Sequence, residues 1–372
     1  MRFFASDEHD ALRASVARFL RERCGRDQVR RLMDSDEGYD RDVWAQLARQ
    51  LGLVGLSLPA EYGGADAGFQ ELVTVLEQTG RALLCAPLLA SAVFAGQALL
   101  VCADEPARAE LLPPLIAGEL VATLATALAS EAARAGARAQ PADSAYPADR
   151  GWSVDAELDL VLDGQHAGLL LLVAADPDGS AALFAVDRAA TGVECTPRAA
   201  LDGTRRYATL RLRAAPARRL GPVTAPAARR LELAVELALA AEAIGGAAAC
   251  LDSSVQYARL RHQFGRPIGS FQAVKHKCAD VLTELELARS ALHYAAWAFD
   301  QDDPGLPVAV GVAAVAAVEA FSRAAAENLQ IHGGIGFTWE HDAHLFLKRA
   351  AADRLLVDPA GRRARLLADL GA

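Results

Sequence analysis

The sequence predicts an α+β protein of three successive parts: an N-terminal α-helical domain, a small middle β-barrel or β-sandwich domain, and a C-terminal domain of four-helix-bundle type. Three observations carry this. Apolar residues recur at three- and four-residue spacing over 7–25, 37–52, 70–83 and 91–117. From 119 to 221 that period gives way to short β-type runs between turn signals. Beyond GPVTAP (221–226), long helical patterns return to the end of the chain. The expected domains are therefore 1–118, 119–222 and 223–372.

In the first domain, ALRASVARFL and VWAQLARQLGLVGL show the helical stripe, and LPAEYGGADAGF, with its Pro, paired Gly and Asp, marks an ordered loop. In the second, GWSVDAELDLVLDG, GLLLLVAAD, SAALFAVD, GVECTPR and YATLRLRAA read as strands separated by DG, PDGS, ATG and DGT turns. In the third, the helices break at HQFGRPIGS, DDPGLP, HGGIGF and VDPAG, which leaves four or five long elements.

Composition narrows the function classes. The hydrophobic content of 52% and charged content of 23% supply ample core for 372 residues and exclude a disordered chain. A net charge of −9 argues against a broad face for nucleic acid or anionic membrane, while leaving room for a local phosphate site. The six cysteines lack metal-ligand spacing and read as reduced core residues of a cytosolic protein. The first twenty residues show no export signal, and the apolar run LLLLVAA (169–175) is too short to span a bilayer.

Three stretches carry chemistry. LALAAEAIGGAAACL (237–251) is a helix in which Glu242 stands alone on a face of Val235, Ala238, Leu239, Gly245, Gly246 and Ala249. A carboxylate there is either exposed or kept for chemistry, because burying an unpaired charge is costly. The plainer reading is a helix charge meeting water or an arginine at a subunit interface. Glu236 lies about 240° round from it, close to Glu232 and Arg229, and reads as part of a solvated charged face.

The second stretch, RLRHQFGRPIGSFQAVKHKCAD (259–280), sets Arg261, His262 and Arg266 beside glycine turns and a helix start near Ser270, an arrangement suited to a diphosphate. The alternative is a solvated basic turn. The third, LQIHGGIGFTWEHDAHLFLKRA (329–350), offers Gly333 and Gly334 for close backbone approach or as a helix C-cap. His332, His341 and His344 lack an acidic or thiol partner at metal-ligand spacing, and no metal site is expected.

RHQFGRPIGSFQAVKHKCAD (261–280) followed by QIHGGIGFTWEHDAHLFLKRA (330–350) resembles the C-terminal domain of the acyl-CoA dehydrogenase family, and LGLVGLSLPAEYGGADAG (51–68) is similar to its first helical domain. The resemblance covers nearly the whole chain. It implies α,β-dehydrogenation of an acyl-CoA thioester with FAD as hydride acceptor, a carboxylate base, and an electron-transfer acceptor for the reduced flavin. The family carries its base on the first long helix of the C-terminal domain or in a late loop. The resemblance therefore points to Glu242 first, with Asp358 of LLVDPAGRRARL in reserve. It also carries FAD contacts onto Arg261, Phe264, Gln272, Gln330, Gly333 and Gly334, which in the family reach the cofactor of a neighbouring subunit.

The chain departs from the family where the flavin ring is held. The stretch 126–144 lacks the expected proline and Gly-Ser-Asp, and DLVLDG (159–164) has leucines where an aromatic and a hydroxyl belong. A homologous partner supplying those contacts resolves the asymmetry, as in the α2β2 actinobacterial heteromers of sterol side-chain breakdown that this chain resembles. Two alternatives stay open: a self-sufficient homo-oligomer, and a flavin-less protein of the same fold that serves as a structural partner or runs acid-base chemistry such as dehydration on a thioester.

Overall fold

The computed structural model describes residues 7–125, 137–142 and 151–369. In chain order the helices are α1 (Asp7–Arg23), α2 (Arg26–Met33), α3 (Arg41–Ala45), α4 (Phe69–Ala82), α5 (Gly96–Cys102), α6 (Glu105–Ile116), α7 (Ala225–Leu260), α8 (Gln272–Asp300), α9 (Leu306–His332), α10 (Ala343–Val357) and α11 (Pro359–Asp369). The strands are β1 (Ala122–Leu124), β2 (Arg138–Pro141), β3 (Trp152–Leu162), β4 (Leu169–Ala175), β5 (Ala181–Asp187), β6 (Val193–Arg198), β7 (Tyr207–Pro222), β8 (His262–Gln263) and β9 (Arg266–Pro267). The helix, strand, helix order is the one expected from the periodicities.

The chain packs as two compact units that do not follow that linear order. One joins residues 1–31 and 68–84 to 236–372; the other joins 32–67 to 85–235. The N-terminal helical stretch is thus divided: α1 and α4 pack with the C-terminal bundle, while α3, α5 and α6 belong to the unit that holds strands β1 to β7. Sequence periodicity marks where helices lie but not which neighbours bury their stripes.

In the mixed unit, β7 is the organising strand. It pairs antiparallel with β3 along 207–217, with β6 along 207–212 and with β5 along 218–222. Pairings β5–β4, β4–β2 and β2–β3 then close the circuit into a small barrel, with β1 added in parallel to β4. Alternation turns Val154, Leu170, Leu172, Phe184 and Leu210 inward, all fully buried. A register slip in β3 between Leu158 and Val161 leaves Leu160 at φ 56° and half exposed.

In the helical unit, α4 is sheathed almost all round: Leu72, Val73, Val75 and Leu76 are at most 1% exposed. Its N-terminal N–H groups are capped from two sides. Glu71 Oε2 accepts from Gly68 N at 2.9 Å. Asp300, at the far end of α8, accepts from Phe69 N at 2.7 Å and from Gln70 N at 3.2 Å. Burial pushes the Asp300 carboxyl above its ordinary value, and the two N–H donors pull against that.

Helix α7 fits against α4 and α9 through its glycines. A methyl group at Gly245 would stand 1.8 Å from the Glu77 carbonyl oxygen of α4, and one at Gly80 would stand 2.0 Å from the Glu242 carbonyl oxygen. On the other side, Gly246 receives the ring of the buried Phe321, 2.4 Å from where its own methyl would lie. Helices α7 and α9 are long and apolar enough to cross a bilayer, but 83% and 61% of their most apolar windows are buried inside the protein, as expected of core helices.

Candidate functional site

Helices α7 and α9 end side by side. Ser254 Oγ donates to Asn328 Oδ1 at 3.0 Å, and the rings of Tyr257 and His332 lie 4.3 Å apart. Lys277 of α8 pairs with Glu327 of α9. These contacts bring the two glycine-containing turns that sequence reasoning singled out to one end of the bundle.

The first turn is a two-residue hairpin between β8 and β9, with His262 opposite Pro267 and Gln263 opposite Arg266. Its tip is Phe264 and Gly265 at φ 52° and 77°, a primed turn geometry that Gly adopts freely and a bulky aromatic does not. Phe264 is nevertheless held there, 90% exposed. The backbone strain and the exposed ring together mark a site rather than a fold requirement. Arg266 lies over the Phe271 ring at 4.1 Å, which braces the hairpin against the start of α8.

Helix α8 begins at Gln272 with no side chain capping it, and Ser270 Oγ just before it is buried without a hydrogen-bond partner. An uncapped N-terminus with an orphaned hydroxyl suits an anionic oxygen. Arg261 and Gln272 are exposed beside it. Across the α7–α9 junction, Gln330 is exposed, and a methyl group at Gly333 or Gly334 would meet nothing within 4 Å. Gly333 has φ 62°, so its missing side chain serves both the turn and close approach. The residues present therefore fit the diphosphate and adenine side of a dinucleotide. Beside them, Phe337 and Trp339 are 71% and 67% exposed, a feature the sequence pattern did not single out.

The histidines form no metal centre: among the described residues, no group of three or more His, Cys, Asp or Glu side chains is placed to hold a metal ion. His332 is 5% exposed, its ring tilted against that of His341 at 4.1 Å, and bonded through Nδ1 to the Asn328 carbonyl at 2.8 Å. Burial pushes its pKa down.

The two carboxylates lie elsewhere. Glu242 is 7% exposed and faces α4, where Thr79 Oγ1 stands 3.1 Å from its Oε1. The space beside Gly245 and Gly246 on the same face is filled by the α4 backbone and by Phe321. Asp358 is exposed at φ 48° between α10 and α11, and its Oδ1 accepts from Gly361 N at 3.3 Å. With Pro359 as the first helical residue, it serves as the N-cap of α11. Glu236 is not on a solvated face: its Oε2 lies 2.7 Å from Arg362 Nη2, and the Arg362 side chain is 1% exposed.

In the mixed unit, DLVLDG spans the β3 slip. Asp159 is engaged by Arg198 at 3.3 Å and by Thr209 at 2.5 Å, and Leu160 offers no polar group. Most of 126–144, where the flavin-ring motif is missing from the sequence, lies outside the described residues.

Comparison with known proteins is consistent along the chain. The family description "Acyl-CoA dehydrogenase, N-terminal domain" matches residues 6–119, and "Acyl-CoA dehydrogenase, C-terminal domain" matches residues 233–357. The acyl-CoA dehydrogenase IpdE2 of Mycobacterium tuberculosis is 35% identical over 95% of this chain and 93% of its own. Among solved structures, a Tcur3481–Tcur3483 steroid ACAD variant matches 98% of this chain and 99% of its own, with 29% identity and a TM-score of 0.87. The ChsE4–ChsE5 complex from Mycobacterium tuberculosis matches 100% and 99%, with 27% identity and a TM-score of 0.89.

Proposed function

The chain belongs to the acyl-CoA dehydrogenase family, and from that premise we propose that it is one subunit of a heteromeric, FAD-dependent enzyme that desaturates an acyl-CoA thioester between its α and β carbons. Bound FAD supplies the hydride acceptor for the β-carbon, and an electron-transfer acceptor reoxidises it. The observation that carries the reading is the strained, exposed Phe264 beside the uncapped α8 N-terminus and the open Gly333–Gly334 turn. Arg261 and the α8 N–H groups neutralise a diphosphate, Phe264 and Gln272 flank the adenine side, and Gln330 with Gly333 and Gly334 gives backbone-close contact. We assign these contacts to the flavin of a neighbouring chain.

The heteromer is supported by the leucines of DLVLDG, which leave the flavin ring without side-chain donors there, and by the pairing of chains in the two solved relatives named above. The name of the first, a steroid ACAD, is the reason to include a steroid-derived acyl-CoA in the substrate panel. The test is co-expression with a homologous partner. A yellow complex that desaturates acyl-CoAs, with a colourless single chain, is the expected result. A yellow single chain supports the homo-oligomer. Absence of colour in both overturns the flavin assignment and returns the fold to a structural or dehydratase role.

For the base, two readings rest on two observations. The enclosed seam between α4 and α7 favours Glu242 as a structural acid, with the base supplied by the partner. Its 7% exposure favours the desolvated base that proton abstraction from carbon needs. Glu242→Gln separates them: the structural reading expects kcat to be kept, and the base reading expects a loss of about 10³-fold or more with flavin retained. Asp358→Asn, which leaves a capping side chain, is expected to keep activity under both.

A further inference from the structure

A cavity of about 480 Å³ opens among α1, α4, α7 and α8 in the helical unit, about three turns along α7 from Tyr257. Three guanidinium groups line it, from Arg13, Arg81 and Arg289. Each is paired with an acid on the open surface: Asp10 and Asp252, both 63% exposed, and Glu286, 55% exposed. Such exposed pairs contribute little, so Arg13 and Arg81 can turn to a ligand at small cost, while Arg289 is also anchored by the buried Glu77.

Glu77 lies in the wall, 5% exposed. Arg289 Nε donates to its Oε2 at 3.4 Å, but Oε1 is buried without a hydrogen-bond partner, and His293 Nε2 stands 3.5 Å from it. Burial, together with Arg13, Arg289 and His9 and against Glu286, pushes the His293 pKa down to about 4, so the imidazole is neutral near pH 7. The cavity therefore combines anion-binding donors with one buried carboxyl oxygen, Glu77 Oε1, that has no hydrogen-bond partner; burial pushes the Glu77 carboxyl up, and Arg289 and Arg13 pull against that.

We propose that this cavity binds a protonated phosphoryl oxyanion, with Arg13, Arg81 and Arg289 holding its charged oxygens and a P–OH group donating to Glu77 Oε1. The assignment does not rest on the flavin reading. Inorganic phosphate carries such a hydrogen at neutral pH. Sulfate has none, and turns a lone pair toward the carboxylate. A phosphate monoester loses its hydrogen above its second pKa of about 6, so the free ion and the monoester are distinguishable by pH.

The test is thermal unfolding and calorimetric titration of the full chain at fixed ionic strength, with inorganic phosphate, sulfate and glycerol phosphate as probes. Phosphate is expected to bind saturably and about tenfold more tightly than sulfate at pH 7. Glycerol phosphate is expected to approach phosphate at pH 5.5 and to fall toward sulfate at pH 8. Glu77→Gln, whose amide can donate, is expected to bring the phosphate to sulfate ratio near one. Should that variant fail to fold, Arg13→Gln carries the test through a several-fold loss of phosphate affinity. The His293 imidazole resonance, which titrates under the influence of Glu77, Arg13, Arg289, His9 and Glu286, is expected to shift to a higher pKa with phosphate bound. Equal binding of sulfate, no saturable binding of phosphate, or unchanged binding in Arg13→Gln overturns the proposal.

Discussion

Replacing Gly245 with alanine decides what the small face of α7 is for. In an open helix interior the change stabilises by about 1 kcal/mol, because glycine gives up more backbone freedom. At Gly245 the added carbon lies 1.8 Å from the Glu77 carbonyl oxygen, 2.7 Å from its carbon and 2.8 Å from Arg81 N. All three are backbone atoms of α4, so relief requires the two helices to part by roughly 1.5 Å rather than one side chain to rotate. Overpacking of that kind costs about 1–3 kcal/mol, and parting the helices also loosens Thr79 from Glu242, a contact of about 1 kcal/mol. Set against the propensity gain, the net expectation is a loss of about 2 kcal/mol. The assay is the denaturant midpoint of the variant beside Gly25→Ala, where a methyl meets nothing within 4 Å and a neutral or slightly stabilising effect is expected. A Gly245→Ala protein as stable as the parent would refute the close-packed seam and restore the face as open space beside Glu242.

The remaining predictions use other contacts. Asp300→Ala removes the acceptor for two N–H groups at the start of α4 and is expected to cost about 1–2 kcal/mol in the same assay; no change would mean that solvent caps α4 equally well. His293 has its folded pKa pushed to about 4, so the unfolded chain binds the proton first as pH falls from 6.5. Stability is lost on that descent, by about 2 kcal/mol between pH 7.5 and pH 5, and His293→Gln is expected to remove that part of the pH dependence. Phe264→Ala, at a residue 90% exposed, is expected to change stability by less than about 0.5 kcal/mol while lowering flavin retention in the co-expressed complex; a destabilised fold with flavin retained would make Phe264 a packing residue.

Much of the fold was legible because it follows from local period. Alternating runs such as SVDAELDLVL and the DG turns specify strands, and these close into the barrel because β7 is long enough to serve three neighbours. The two glycine-containing turns were legible through their motif, since glycines before a helix start and Gly-Gly after a helix are local signals, whereas the β8–β9 pairing came only from the structure. Asp358-Pro359, read as the reserve base, is equally local, and in the fold its carboxylate caps α11. Glu236 was read from its neighbours on α7, and its partner Arg362 lies more than a hundred residues along the chain.

The sequence by itself determined the periods, the glycine-containing turns and the isolation of one carboxylate on an apolar face. Only the tertiary structure decided what that face meets. Glu242 and Thr79 are 163 residues apart, and α4 joins the bundle although its chain neighbours on both sides belong to the other unit. A small apolar helix face specifies close approach of something, and helix backbone and substrate satisfy that demand alike. The packing of the whole chain selects α4 at Gly245 and the Phe321 ring at Gly246, because close approach there buries apolar surface on the facing helices.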